Sequence, residues 1–263
     1  MTETWVLLYH ALDTAESPFS GHPADSSVVV GAEDFAQQLQ CLREMELSIK
    51  SLGDVLLGEK ADRPQVVLTF DDGHVSNWSL ALPRLLDAGA VATFYVIAGK
   101  IGNDPGYLSV NQLRELDSLG MIIGSHTMSH PFLPQLPADE ITRELRDSRA
   151  LLEDLLGHEV VDLALPGGHG NATTSAIAQE CGYRSVATCQ IGVFGRGDNP
   201  MRLPRLEIRR GLSLDDFRAT FSRRMIRKLQ LWEYGKNCCR RVLGLSTYSR
   251  LRNLAHRVAR IRR

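Results

Sequence analysis

Short apolar runs alternate with amphipathic stretches along most of this 263-residue chain, and that alternation restricts the folds open to it. Trp5–Tyr9, Gln65–Phe70, Ala90–Ile97, Met121–Gly124, Val160–Leu165, Arg184–Thr188 and Leu203–Ile208 read as buried strands. Helical spacing falls between them, over Glu33–Met45, Asn77–Ala88, Ser109–Leu119, Ala138–Leu156 and Asn171–Cys181. Gly89, Gly120 and Gly157 stand where helices should stop, and Ser213-Leu-Asp-Asp216 opens a further helix after the last strand. About seven strands alternating with helices imply parallel βαβ units. A chain of this size, 43% hydrophobic, suits one barrel-sized domain with an extension.

The chemistry concentrates where strands end. Val66 to Phe70 runs straight into Asp71-Asp72-Gly73. Two adjacent carboxylates beside an apolar core raise each other's pKa unless something neutralises them. A divalent cation taking one of them would do so and leave the other as a base. An Asp-Gly turn closing a strand is the plain alternative. Downstream, the strand at 121–124 leads into His126-Thr-Met-Ser-His130. Two imidazoles four residues apart can face one ligand, and neutral imidazole suits a borderline metal. One Asp with two His makes a three-ligand site with open positions, the catalytic type.

Thr69-Phe-Asp-Asp-Gly73 and His126-Thr-Met-Ser-His130 resemble the first two motifs of the polysaccharide deacetylase (NodB-homology) family, and the resemblance extends over roughly residues 5 to 220. It implies a distorted (β/α) barrel without a full eighth unit, and an amidase that removes N-acetyl groups from sugars such as N-acetylglucosamine. It further implies that Asp72, His126 and His130 bind one divalent metal ion, zinc first among the candidates, with Asp71 as the general base. The family's third motif supplies an oxyanion-binding N–H just after a proline, which maps to Gly167 in Pro166-Gly167-Gly168.

Two departures stand out. The third motif ordinarily carries an Arg two residues before that proline, where it holds the catalytic Asp; here the position is Ala164. Arg205, from the last strand, is the candidate replacement. The final strand lacks the family's usual histidine acid. Members of the poly-N-acetylglucosamine deacetylase branch instead carry Tyr-His at the N-terminal strand, and Tyr9-His10 matches it. His10 is therefore the expected acid, with His169 the competing candidate. Tyr9 and His169 join Gly167 on the expected oxyanion and substrate face.

A near-neutral net charge of −1 hides an uneven distribution. Residues 222–263 hold 13 of the 30 Lys and Arg but one of the 31 acids, Glu233. The expected division is a catalytic domain at 1–221 and a basic helical extension at 222–263. From Ser246 onward Leu251, Leu254, Ala255, Val258 and Ile261 share one helical face among arginines, with Trp232 and Tyr234 upstream. That pattern suits an anionic membrane surface. No motif that reads nucleic acid accompanies the charge. Five cysteines without a CxxC pair suggest a reducing compartment. With no basic leader followed by a long apolar run, the expectation is a cytoplasmic protein, peripheral on the inner membrane face. The expected partner is an N-acetylated sugar, free or lipid-linked. Competing expectations are a related amidase or deformylase, and a catalytically silent carbohydrate-binding domain.

Overall fold

The computed structural model describes residues 3–16, 26–58 and 62–235. Seven parallel strands carry it: β1 (Thr4–Tyr9), β2 (Gln65–Phe70), β3 (Ala92–Val96), β4 (Ile122–Ser125), β5 (Asp162–Ala164), β6 (Ser185–Ala187) and β7 (Leu206–Glu207). Their spatial order is β7-β1-β2-β3-β4-β5-β6, with β1 and β2 in register over six residue pairs from Thr4↔Gln65 to Tyr9↔Phe70. Leu206 pairs with Leu7 of β1, while Leu203, three residues earlier, bridges Ala187 of β6. The segment 203–207 thus touches both ends of the path and closes the curl. This is the distorted (β/α) barrel without a full eighth unit.

Helices α1 (Ala32–Glu44), α2 (Leu82–Asp87), α3 (Val110–Ser118), α4 (Ala138–Leu156) and α5 (Ala172–Glu180) lie in the connections between strands, and α6 (Leu214–Thr220) follows β7. Their ends follow the residues that mark them in the sequence. Ser109 and Gln112 form a reciprocal capping box at α3. Asn171 accepts from the Thr174 N–H at α5, and Gly157 closes α4 at φ 80°. The helix expected from Asn77 begins instead as a π-helical turn, Asn77–Ala81, ahead of α2. Pro83 lacks the N–H that a continuous α-helix would pair with the Ser79 carbonyl, so the wider turn precedes it. The structure adds elements too short for periodicity to reveal: Ser48–Ile49 beside β2, the helix Leu52–Leu56, and the pair Leu12–Asp13 with Val30–Gly31.

Strand alternation divides the core in two. Inside the barrel, Val6, Val67, Tyr95, Ala164, Ala187 and Leu203 pack together. Outside, Tyr9, Phe70 and Phe94 stack across neighbouring strands with centroids 5.3 and 4.9 Å apart, and Phe35 of α1 meets Tyr9 edge-on at 5.1 Å. This placement corrects the expectation for Tyr9. It is fully buried on the helix-facing side of β1, and its hydroxyl donates to Gln38 Oε1 of α1 at 2.9 Å. Burial pushes its phenol pKa strongly upward. Tyr9 is a core residue and reaches no substrate face.

The chain divides into two compact units, Met1–Arg218 and Ala219–Arg263. In the second, a helix runs over 223–235 and exposes Leu231, Trp232 and Tyr234. The amphipathic stretch from Ser246 and the pair Cys238-Cys239 lie outside the described residues. Among the described residues no helix is long and apolar enough to cross a membrane.

Tyr9→Phe should leave Gln38 Oε1 buried without its donor and lower the unfolding free energy by about 1–3 kcal/mol. Urea denaturation reads that loss, and metal binding by the variant should match wild type.

Candidate active site

Asp71, Asp72, His126, His130 and Gly167 all follow the C-terminal ends of strands, the end at which such barrels place their chemistry. Three donor atoms, one each from Asp72, His126 and His130, lie within 4.8 Å of one another. His126 Nε2 and His130 Nε2 are each 3.5 Å from the same oxygen, Asp72 Oδ1. Donors bonded to one tetrahedral ion at about 2.0–2.2 Å stand about 3.4 Å apart, so the spacing fits a metal.

The tautomer of His126 sharpens that fit. Its Nδ1 lies 2.9 Å from the Ala164 carbonyl, which can only accept, so Nδ1 carries the proton. Burial lowers the imidazole pKa against the raising pull of Asp71 and Asp72. The neutral ring therefore turns the Nε2 lone pair toward the Asp72 carboxylate, an arrangement that repels unless a cation sits between. A backbone carbonyl orienting a histidine ligand in this way is a common support for a metal.

The backbone is strained in the same place. Of the four described non-glycine residues at positive φ, three belong to the site: Asp72 (74°), Thr127 (68°) and His130 (64°). Each costs about 1–3 kcal/mol and persists only where its surroundings hold it. Gly73 is also left-handed, and a Cβ there would come within 2.9 Å of Val96.

Asp71 is 3% exposed, and both its oxygens are taken by one guanidinium. Arg205 Nη1 donates to Oδ1 at 2.6 Å and Nη2 to Oδ2 at 2.8 Å. Arg205 is itself 1% exposed. It also donates through Nε to the Thr188 carbonyl at 3.0 Å and through Nη1 to Thr69 Oγ1 at 3.3 Å, and it lies over the Tyr95 ring. Burial alone would raise the Asp71 carboxyl; Arg205, with His126 and His10 behind it, outweighs that and holds the pKa down at about 2. The guanidinium absent at Ala164 thus reaches the carboxylate from the opposite end of the strand path.

His10 follows β1 and lies close enough to act on the Asp71 charge. Its Nδ1 is buried without a hydrogen-bond partner, and its carbonyl accepts from Asn77 Nδ2 at 2.8 Å. Gly167 lies in a short turn, Pro166–Gly168, at φ 64°. His169 is exposed and meets Phe132 edge-on at 5.9 Å, so it borders the site at the rim. Two further residues lie within electrostatic reach of the site's charges. His74 accepts at Nδ1 from the Ser76 N–H, and burial lowers its pKa against the opposing charge of Asp72. Cys189 packs so tightly on Gly168 that a Cβ there would overlap its sulfur, and burial pushes its thiol up to about 11 despite Arg205.

A family model described as polysaccharide deacetylase matches residues 58–186, which include Asp71, Asp72 and both histidines. The chain belongs to the polysaccharide deacetylase family. It is 27% identical over 218 residues to the putative polysaccharide deacetylase YxkH of Bacillus subtilis, covering 81% of this chain and 74% of that one. The Streptococcus pyogenes deacetylase PplD, solved in complex with acetate, superposes with a TM-score of 0.75 at 28% identity, over 84% of this chain and 99% of that one. The peptidoglycan-N-acetylglucosamine deacetylase of Bacillus cereus is 29% identical over 125 residues, 46% of this chain, and the chain spans only 54% of its length. Members of this family are hydrolases that cleave amide bonds of acetylated sugars.

The Asp71–Arg205 pair makes a signed prediction. Because the folded pKa of Asp71 is depressed, its stabilising contribution is complete above the unfolded value near ~3.9 and is lost as pH falls from there toward about 2. Arg205→Ala should cost about 3–5 kcal/mol at pH 7 by stranding a buried charge. That deficit should shrink in acid, where Asp71, left without its countercharge, protonates first in the variant while wild type only begins to lose the pair's contribution below ~3.9. Chemical denaturation between pH 3 and pH 7 reads both.

Proposed function

We propose that this protein is a metal-dependent N-deacetylase of amino sugars, acting on an oligosaccharide, a polysaccharide or a lipid-linked glycan. The observation that carries the reading is the convergence of Asp72, His126 and His130 beside a carboxylate that Arg205 keeps ionised. PplD, a deacetylase solved with acetate, and the peptidoglycan-N-acetylglucosamine deacetylase of Bacillus cereus support an acetyl group as what leaves and N-acetylglucosamine as the kind of sugar.

Asp72, His126 and His130 would hold the ion, with zinc the first choice for a two-nitrogen, one-carboxylate donor set. Such an ion polarises an amide carbonyl and brings the pKa of water toward ~7. Asp71 takes the proton of the attacking water. Its carboxylate cannot swing away, because both oxygens are fixed by a buried guanidinium. With a pKa of about 2 it holds that proton only briefly, which favours its onward transfer. The Gly167 N–H faces the developing oxyanion. His10, close enough to act on the Asp71 charge, protonates the departing amine, with His169 at the rim as the second candidate.

Acetate release from N-acetylglucosamine oligomers, free and lipid-linked, tests the reading. Asp71→Asn should keep its metal and lose turnover by roughly 10²–10⁴-fold. Formate release without acetate would favour a deformylase, and a wild-type chain that binds the oligomers without releasing acetate would be a silent binding domain. His10→Ala should depress kcat more than His169→Ala and remove the basic limb of the pH profile, since the acid must be protonated. The opposite ranking would move the role to His169.

The helix at 223–235 presents Leu231, Trp232 and Tyr234 at its surface within the strongly basic residues 222–263. This supports a peripheral role at the anionic cytoplasmic face of a membrane. Each Lys or Arg near such a surface contributes about 1 kcal/mol, and salt screens it. Trp232 emission should shift to the blue with phosphatidylserine vesicles at low salt and return at high salt. An unchanged spectrum, with Trp232→Phe as the control, would contradict membrane binding.

A further inference from the structure

The loop that carries both histidines is bound by a side chain from α4 to which no role has been assigned. Glu144, in the second turn of that helix, accepts through Oε2 from the Met128 N–H at 3.0 Å and the Ser129 N–H at 2.9 Å. Its Oε1 accepts from Ser129 Oγ at 2.6 Å. Three hydrogen bonds from consecutive residues converge on one carboxylate, the arrangement in which successive backbone N–H groups cradle an anion. They fall midway between His126 and His130, in a loop whose Thr127 and His130 both sit at left-handed φ.

The two histidines are held differently. His126 is 2% exposed, and its ring is fixed by the Ala164 carbonyl. The His130 side chain is 40% exposed, and no described residue gives its other ring nitrogen a hydrogen bond. The placement of His130 therefore derives from its backbone. Its own N–H donates to Thr127 Oγ1 at 3.0 Å, and the Thr127 and Met128 carbonyls are pinned on the far side by the Ala98 and Gly99 N–H groups. The Thr127 N–H donates to Ser125 Oγ at 3.2 Å, and Glu144 holds the next two residues from the α4 side.

We infer that Glu144 is a positioning residue that sets His130 in ligand geometry through the Met128–Ser129 backbone; the inference rests on the metal-site reading above. Removing it frees the part of the loop that only backbone contacts otherwise restrain, so the ion should lose most of the contribution of one ligand while the barrel stays folded.

The test is Zn²⁺ affinity of the full chain, measured by competition with a chromophoric chelator, alongside the melting temperature of the metal-free protein. Glu144→Ala should bind Zn²⁺ roughly 10–100-fold more weakly than wild type, the usual loss when support behind a ligand is removed. Glu144→Gln, whose amide oxygen still accepts from both N–H groups, should fall between the two. Tyr9→Phe, destabilised far from the loop, should keep wild-type affinity; equal weakening there would mark the effect as general loss of stability and overturn the inference. So would a Glu144→Ala affinity within about twofold of wild type, well inside the range expected for lost support. If Glu144→Ala does not fold, Ser129→Ala removes only the Oγ contact and should still weaken binding, and unchanged affinity there overturns it too. Failure of the underlying reading looks different: wild type would not bind Zn²⁺ one to one, or His126→Ala would bind it unimpaired.

Discussion

The buried bidentate pair between Arg205 and Asp71 is the interaction on which the site depends. An ionised carboxylate that is 3% exposed is tolerable only with a partner, and a lone buried charge costs several kcal/mol. The guanidinium arrives from the segment that closes the barrel, 203–207, whose Leu203 and Leu206 bind opposite ends of the strand path. Barrel closure and the ionisation of Asp71 are therefore one structural event. A chain that failed to close would leave Asp71 near the core without its countercharge.

With Asp71 committed to Arg205, its neighbour Asp72 is left to face the histidines. Left-handed φ at Asp72, Thr127 and His130 aims side chains that regular strand ends would point elsewhere. The strain is held by the interior packing beneath, where Tyr95 and Val67 sit, and by contacts to the histidine loop from Ser125, Ala98, Gly99 and Glu144. The division of labour between two adjacent carboxylates is set by environment rather than residue type: one is clamped by a cation of the protein, the other is open to a cation from outside.

Much of this arrangement was legible in the sequence, for physical reasons that differ by residue. Asp72, His126 and His130 could be grouped because strand ends converge at one face of a barrel and neutral imidazoles imply a shared ligand. Arg205 was legible only through the family resemblance, because the third motif's Arg is replaced by Ala164 and the last strand offers another guanidinium. Tyr9 misled because a strand sends neighbouring residues to opposite faces, so the residue before a site histidine belongs to the helix layer. Glu144 gave no signal at all. Its contact depends on how α4 returns across the histidine loop, a tertiary relation that helical periodicity does not encode. The short strand Ser48–Ile49 and the π turn at Asn77 escaped for similar reasons, being too brief or too irregular to imprint a period.

The most direct measurement is an X-ray structure of the zinc-soaked protein with anomalous data collected at the zinc edge. The account predicts one strong peak within bonding distance of Asp72, His126 Nε2 and His130 Nε2, with Asp71 still paired to Arg205 and outside bonding distance. A peak bonded to Asp71 with Arg205 displaced, or no peak among the three donors, would contradict it.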